Sequence, residues 1–192
     1  FFDDLGLKDT DGVFVANVYL NSPAYKGGLR PGDLITAFNS VKVADTEELS
    51  RLISNAKIGV IVNLSVNRRD KNVELEVVLD ERESDEEIEG NTGKLWPGVI
   101  VQPLDDQIRS SLNLSQKDKG LLLMYMSGIS NSNPFYLAGL QNYDVITKIN
   151  NIQIKSVADF YSAIEDNVVR SYEITYLRNG ENKTTKVERQ VL

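Results

Sequence analysis

A pattern of about seventy residues occurs twice in this chain, and the repeat limits the possible folds more than any other feature. Three landmarks return at one offset of 111 residues: Pro23 and Pro134, Gly28 and Gly139, Asp33 and Asp144. Turn residues placed by chance would not keep one spacing at three positions, so two copies of one domain are the economical interpretation. The 192 residues are enough for each copy to close a modest core.

Turn residues and apolar runs predict the elements of the first copy. The apolar run 12–18 is typical of a strand, and Pro23 then begins a short helix that Gly28 ends. Pro31-Gly32 stands where a type II turn requires these residues, and the strand 34–38 follows. The closing strands are predicted at residues 60–66 and 73–79, and in the second copy at 172–177 and 184–189.

A capping pattern predicts the main helix of each copy. In the first copy Asp45 can accept from the amide of Glu48 while the Glu48 side chain reaches back. Ser156 and Asp159 take these places in the second copy. One face of each helix is apolar, with Leu49, Leu52 and Ile53 in the first copy and Phe160, Ala163 and Ile164 in the second.

The second copy repeats the turn signals with changes. Asn179-Gly180 favours a hairpin turn of type I′ geometry. The turn before Asp144 has lost its Pro and Gly, and Asn142 can still tolerate a positive φ there at moderate cost. The predicted fold class is mainly β with short helices: two domains, each a small, partly open antiparallel barrel or sandwich capped by two helices.

The net charge of −7 lies mostly between the two copies. Residues 80–94 hold seven acids against Arg82 and Lys94, which accounts for five of the seven net negative charges. Like charges repel and glycines loosen the backbone, so this segment is predicted to be a flexible, solvated linker. A calcium site would need an ordered alternation of ligands and glycine that the segment lacks. The two domains are therefore expected to move as separate bodies.

Histidine and cysteine are absent from the sequence. A Ser-His-Asp triad, a Cys-His pair and an ordinary zinc site cannot be built from this chain, so it is not expected to be an enzyme or to hold a cofactor or metal. A Ser-Lys pair or paired carboxylates stay open on composition alone, but no nucleophile elbow or cleft is predicted for them. The acidic balance argues against nucleic acid as a partner.

Two runs of residues carry a resemblance to a known family. The first copy contains Ser22-Pro23-Ala24, Gly28-Leu29, Pro31-Gly32-Asp33-Leu34-Ile35 and Asn39. The second copy is preceded by Trp96-Pro97-Gly98-Val99 and Gln102-Pro103-Leu104, with a short helix predicted at 105–112. Both copies resemble PDZ domains, specifically those of the bacterial HtrA serine proteases (DegP, DegQ). The order of loop and short helix before the Gly-apolar strand is the bacterial one.

The resemblance implies a peptide-binding groove between a strand edge and the main helix. A peptide would add there as a strand, with its terminal carboxylate held by backbone amides of the glycine loop. The predicted peptide-binding residues of the second domain are Trp96, Pro97, Gly98, Val99, Ile100, Val101, Val157, Tyr161 and Ile164. Val99, Val157 and Ile164 could instead be ordinary core residues. Pro97 lacks an N–H, which is expected to weaken carboxylate capture or favour internal segments.

The first copy is predicted to have only part of this groove. Aligning residues 5–7 with 112–114 leaves twelve positions without a counterpart, those equivalent to 96–107, and these hold the loop and first strand. What remains of the groove on the helix is Thr46, Ser50 and Ile53. The predicted domains are 1–79, a first PDZ domain that is incomplete at its N-terminus, 80–94, the linker, and 95–192, the second PDZ domain.

The function that the resemblance implies is recruitment of unfolded or C-terminal polypeptide segments to a serine endopeptidase and chaperone of the bacterial periplasm. The catalytic domain would lie upstream in the same polypeptide, and the full-length protein is expected to be a homo-oligomer. One alternative is a module that assembles or gates this oligomer and binds little peptide. The other alternative is a PDZ scaffold without a protease, which the bacterial strand order disfavours.

Overall fold

The computed structural model describes residues 11–81, 94–125, 132–165 and 170–189. Within these ranges no helix is both long and apolar enough to cross a membrane. Most of the predicted linker, residues 82–93, lies outside the described residues, so its flexibility stays a prediction.

The first domain is an antiparallel sheet with two helices. Its strands are β1 Val13–Phe14, β2 Val18–Tyr19, β3 Leu34–Phe38, β4 Val41–Lys42, β5 Ile61–Arg68 and β6 Lys71–Val78, and its helices are α1 Pro23–Lys26 and α2 Thr46–Asn55. The sheet runs in the order β1, β3, β5, β6, with β4 paired to β3. Buried and exposed residues alternate along β5, which places Val62, Leu64 and Val66 in the core.

The second domain repeats this sheet and adds one strand. Its strands are β7 Leu95–Trp96, β8 Val99–Pro103, β9 Leu121–Tyr125, β10 Val145–Ile149, β11 Ile152–Gln153, β12 Ser171–Arg178 and β13 Glu181–Glu188, and its helices are α3 Asp106–Ser111, α4 Pro134–Leu137 and α5 Val157–Ile164. The order is β13, β12, β10, β9, β8, with β11 on β10. Neither described sheet closes into a barrel, and the prediction of a mainly β fold with short helices is confirmed.

Most of the predicted turns are confirmed. Asn179-Gly180 has positive φ at both positions, 54° and 76°, as a type I′ turn requires. Gly32 has φ 97°, as the third residue of a type II turn does. In the turn before Asp144 the positive φ is taken by Tyr143, at 74°, and not by Asn142. Tyr143 is the counterpart of Gly32, whereas Asn142 uses its side-chain oxygen to accept a backbone N–H of β9 at 2.6 Å.

The two main helices begin at the predicted caps. Asp159 N donates to Ser156 Oγ at 3.2 Å and Ser156 N donates to Asp159 Oδ2 at 2.9 Å, which is a complete capping box. Asp45 likewise caps α2, accepting from Glu48 N at 2.9 Å. The Glu48 carboxylate reaches one residue further back than predicted, where it accepts from Ala44 N at 3.0 Å.

Each copy buries one carboxylate against an arginine. Asp33 accepts from Arg68 Nε and Nη2 at 2.7 and 2.8 Å, and Asp144 accepts from Arg178 Nε and Nη2 at 2.6 Å each. A backbone N–H three residues before each aspartate adds a third bond, at 2.8 and 2.7 Å. These side-chain bonds raise the pKa of both guanidinium groups. In the first domain the pair connects the turn before β3 to the end of β5. In the second domain it connects the turn before β10 to the end of β12.

The two domains lie against each other. β2 leaves the first sheet and pairs antiparallel with β7, so that Val18 lies opposite Trp96 and Tyr19 opposite Leu95. The strand predicted over 12–18 is for this reason divided into β1 and β2. Leu20 of the first domain packs in the second domain's core. The expectation of separate bodies was drawn from the linker alone, and the structure instead shows a docked arrangement.

Candidate peptide-binding site

The predicted glycine loop begins at Trp96, the last residue of β7, and is buried. Trp96 packs in the core, where its ring stacks on Tyr172 at 5.6 Å between centroids. Pro97 and Gly98 are buried as well, and β8 begins at Val99. Gly98 has φ 75°, in the left-handed region, where a side chain is strained. This backbone conformation therefore favours glycine at this position independently of any ligand.

Asn133 holds the loop in place. It is fully buried at the N-cap of α4, where its Oδ1 accepts from Phe135 N at 2.9 Å. Its Nδ2 donates to Leu95 O at 3.2 Å and to Pro97 O at 3.0 Å, so one side chain ties both sides of the loop to α4. Sequence reasoning missed this role. The sequence did contain a signal for it. The repeat offset aligns Asn133 with Ser22, so the second copy has a side-chain amide, with an extra N–H donor group, where the first copy has a hydroxyl.

The helix side of the predicted groove is packed rather than open. Val157 and Ile164 are fully buried, and Tyr161 is 4% exposed. All three lie in one core cluster with Val99, so the alternative interpretation as core residues fits this docked arrangement. Burial raises the pKa of the Tyr161 phenol well above its usual value and keeps it neutral. A peptide contact at these side chains stays a prediction.

The strand side of the groove has a free edge. β8 pairs with β9 on one side and is the last strand of the described sheet, and α5 packs beside it. Val101 points into the core, whereas Ile100 is 38% exposed. An edge strand beside a helix is the geometry in which an extended peptide can add to a sheet.

The first domain contacts the loop and the helix wall of this groove. Gly98 N donates to the Asn17 side-chain oxygen Oδ1 at 2.6 Å. The ring of Phe14 meets the ring of Tyr161 edge to face, at 5.1 Å between centroids and an interplanar angle of 76°. The turn at Gly32 approaches so closely that a Cβ there would lie 2.8 Å from the Tyr161 Cβ. Neither Asn17 nor Phe14 was identified from the sequence, because both stand in a run that simply resembles a strand.

Polar contacts border these apolar ones. Arg69 Nη2 lies 2.5 Å from Glu165 Oε2, just after α5, and donates to Ser162 O at 2.8 Å. On the other side Arg189 Nη2 donates to the Tyr25 hydroxyl at 2.8 Å. Partly exposed pairs of this kind stabilise only modestly and weaken with salt. They fix the orientation of the domains more than they hold them together.

The first domain presents a different surface at the corresponding place. Thr46, Ser50 and Ile53 lie exposed along α2, and Ile53 is 43% exposed. β1 pairs with β3 only, so no described strand occupies its other edge. Within residues 11–81 the structure therefore brings these three residues together with neither a loop nor an edge strand like β8.

The second groove presents hydrogen-bonding groups of the main chain. Within the described ranges no three His, Cys, Asp or Glu side chains are grouped closely enough to hold a metal ion. The indole N–H of Trp96 is buried and finds no acceptor among the described residues. Backbone donors and an unpaired strand edge recognise main-chain acceptors, and an extended polypeptide supplies these.

Comparisons with known proteins agree with this geometry. Residues 5–79 and 98–188 match the PDZ domain family. A "Probable periplasmic serine endoprotease DegP-like" from Pseudomonas fluorescens (strain Pf-5) is 32% identical over 190 residues, 93% of this chain and 38% of that protein. A protein of the same description from Marinomonas sp. (strain MWYL1) is 30% identical over 175 residues, 85% of this chain and 34% of that protein. The chain thus spans little more than a third of these relatives.

Among solved structures, an HtrA-type protease with a decapeptide is 30% identical over 43% of this chain and 25% of that chain, with a TM-score of 0.40.

Proposed function

The chain belongs to the PDZ domain family, with two PDZ domains in tandem, and we propose that the second of these binds polypeptide segments in the groove between β8 and α5. In this proposal the tandem recruits unfolded or C-terminal segments to an HtrA-like serine endopeptidase and chaperone, and regulates it. The periplasmic, DegP-like relatives support the envelope location and the link to a protease. The chain has no histidine or cysteine, so the catalytic groups would belong to the rest of the parent protein.

The observation that carries the proposal is the hydrogen bond at Gly98. Its N–H, in the glycine loop, already holds an amide oxygen at 2.6 Å, and an amide oxygen is the same kind of acceptor as a peptide carboxylate or carbonyl. Beside it, the edge of β8 offers backbone groups that pair with no described strand. The loop would hold the end of the peptide and the edge would hold its backbone.

Calorimetric titration with paired peptides tests this proposal. An apolar peptide with a free C-terminal carboxylate should bind with a Kd of about 1 μM or weaker, because a flexible peptide must be ordered. The same peptide with an amidated C-terminus should bind more weakly. Gly98→Ala should abolish binding, since φ 75° strains alanine and its Cβ obstructs the approach of the peptide backbone. Gly139→Ala is the matched control: φ is 79° and a Cβ there meets nothing within 4 Å.

Pro97→Leu tests the missing donor. Restoring one amide to the loop should strengthen binding of the free-carboxylate peptide by about 0.5–1.5 kcal/mol and change binding of the amidated peptide less. If the two peptides bind equally well to the unmodified chain and to Pro97→Leu, capture of a C-terminal carboxylate is refuted and internal segments are the ligands.

A second candidate, assembly of an oligomer, is favoured by an exposed surface on the second domain. Tyr136, Leu137 and Tyr143 are 46%, 63% and 61% exposed. By the repeat offset Tyr136 and Tyr143 correspond to Tyr25 and Gly32, which lie in the first domain's contact with the second. If this surface docks onto another subunit, Leu137→Ser should lower the oligomeric state in sedimentation velocity, with peptide affinity unchanged.

A further inference from the structure

A side chain of the first domain occupies the glycine loop of the second domain. The acceptor on the loop is the Asn17 side-chain oxygen, which comes from the segment between β1 and β2. The same segment continues into β2, which pairs with β7 immediately before the loop, and Leu20 N donates to Lys94 O at 2.9 Å. One stretch of the first domain thus lies along the entrance of the loop and fills its hydrogen-bonding position.

The helix wall is covered at the same time. Phe14 packs on the Tyr161 ring, and the turn at Gly32 leaves no room for even a Cβ beside the Tyr161 Cβ. Tyr161 is one of the helix residues predicted to face a bound peptide, and it is almost completely buried in this arrangement. A peptide strand lying between β8 and α5 and ending at Gly98 would have to take the space of Asn17 and Phe14.

We infer that the first domain is a cap on the second domain's groove, so that a peptide binds there only when the two domains separate. This inference rests on the proposed function and names its regulation. Asn17 and a peptide terminus compete for one N–H, while Phe14 and a peptide side chain compete for one helix surface. The apparent peptide affinity therefore equals the affinity of the open form multiplied by the fraction of molecules that are open. Any contact that holds the domains together decreases that fraction and so weakens peptide binding.

The contact can be locked by one disulfide. Tyr19 and Leu95 are direct partners between β2 and β7, one position from the hydrogen-bonded pair Leu20 and Lys94. They therefore form a non-hydrogen-bonded pair, whose Cα atoms lie about 4.5 Å apart, within the range that a disulfide spans. The chain contains no cysteine, so in Tyr19→Cys/Leu95→Cys only this disulfide can form within the molecule. The reduced form of the same variant is its control for folding.

Peptide titration of the two redox forms is the test. The oxidised form should bind a free-carboxylate, apolar peptide at least about tenfold more weakly than the reduced form, and adding reductant should restore binding. Arg69→Glu places a like charge against Glu165 and should strengthen binding several-fold, whereas Lys71→Glu, the same charge change in the same hairpin, should not. Equal affinity of the oxidised and reduced forms would overturn the cap.

A measurement without peptide separates the cap from the proposed function. If no form binds peptide, the proposed function fails, and the cap is then judged by hydrogen exchange at the Gly98 amide. Because Asn17 accepts that N–H only in the docked arrangement, exchange should be faster in Arg69→Glu than in Lys71→Glu by the same several-fold factor as the gain in peptide affinity expected above. Equal exchange rates in these two variants would contradict the cap whatever the peptide result.

Discussion

Removing Arg178 should destabilise the second domain strongly, because it would leave a carboxylate buried without its partner. Asp144 has a side chain that is 1% exposed, and two of its three hydrogen bonds come from Arg178. Removing one partner of a buried ion pair costs about 3–5 kcal/mol. Since the Arg178 side chain is itself 21% exposed, the lower end of that range applies, and Arg178→Ala should lose about 3 kcal/mol of unfolding free energy.

Urea unfolding followed by tryptophan fluorescence measures this loss in the right domain. Trp96 is the only tryptophan and is buried in the second domain, so its emission reports the unfolding there. Arg178→Lys keeps the charge but loses the two-pronged geometry and should cost less, about 1–2 kcal/mol. The double variant Arg178→Ala/Asp144→Ala should be more stable than Arg178→Ala alone, because no unpaired charge remains. An Arg178→Ala protein whose unfolding free energy lies within about 0.5 kcal/mol of that of the unmodified chain would show that the ion pair does not stabilise the domain.

Three further predictions concern the second domain. Gly120→Ala should destabilise it by more than about 1 kcal/mol, because the new Cβ would lie 2.4 Å from a backbone oxygen of β10. Gly180→Ala should cost less, because a Cβ there meets nothing within 4 Å, and urea unfolding of both variants measures the difference. Asn133→Ala should lower peptide affinity and stability together, since the loop loses both tethers, measured by calorimetry and thermal unfolding. Burial raises the pKa of Tyr161, so the unfolded state releases the phenol proton more readily than the folded state does. The unfolding free energy should therefore fall as the pH rises above about 10, and Tyr161→Phe should reduce that fall in denaturant titrations at a series of pH values.

The elements of each domain could be predicted because local chemistry decides them. Asp45 and Ser156 have extended backbones, and the side chain of each accepts a hydrogen bond from the first turn of the helix that follows. Asn179-Gly180 adopts positive φ at little cost. The exception is Tyr143, where the repeat keeps the backbone of a glycine turn after the glycine itself is gone. There the fold imposed a conformation that the local sequence does not favour.

The docked arrangement could not be read from the sequence. Phe14 and Leu20 lie in an apolar run, and the run would look the same if both packed within their own domain. The acidic linker, from which independence of the domains was inferred, says nothing about surfaces elsewhere on the two folds. The buried pairs of Asp33 and Asp144 were also missed, although an arginine stands before the hairpin turn in both copies. Long-range partners of this kind become visible only when the strands are in place.

Peptide binding at the groove and its cap are tested together by the backbone amide signal of Gly98 in a nuclear magnetic resonance titration of the chain with a free-carboxylate, apolar peptide. We predict a saturable shift at Gly98, accompanied at the same peptide concentrations by shifts at Phe14 and Asn17 as the first domain leaves the groove. Shifts at Gly98 without any at Phe14 and Asn17 would contradict the cap. An unchanged Gly98 signal at saturating peptide would contradict the assignment of the groove itself.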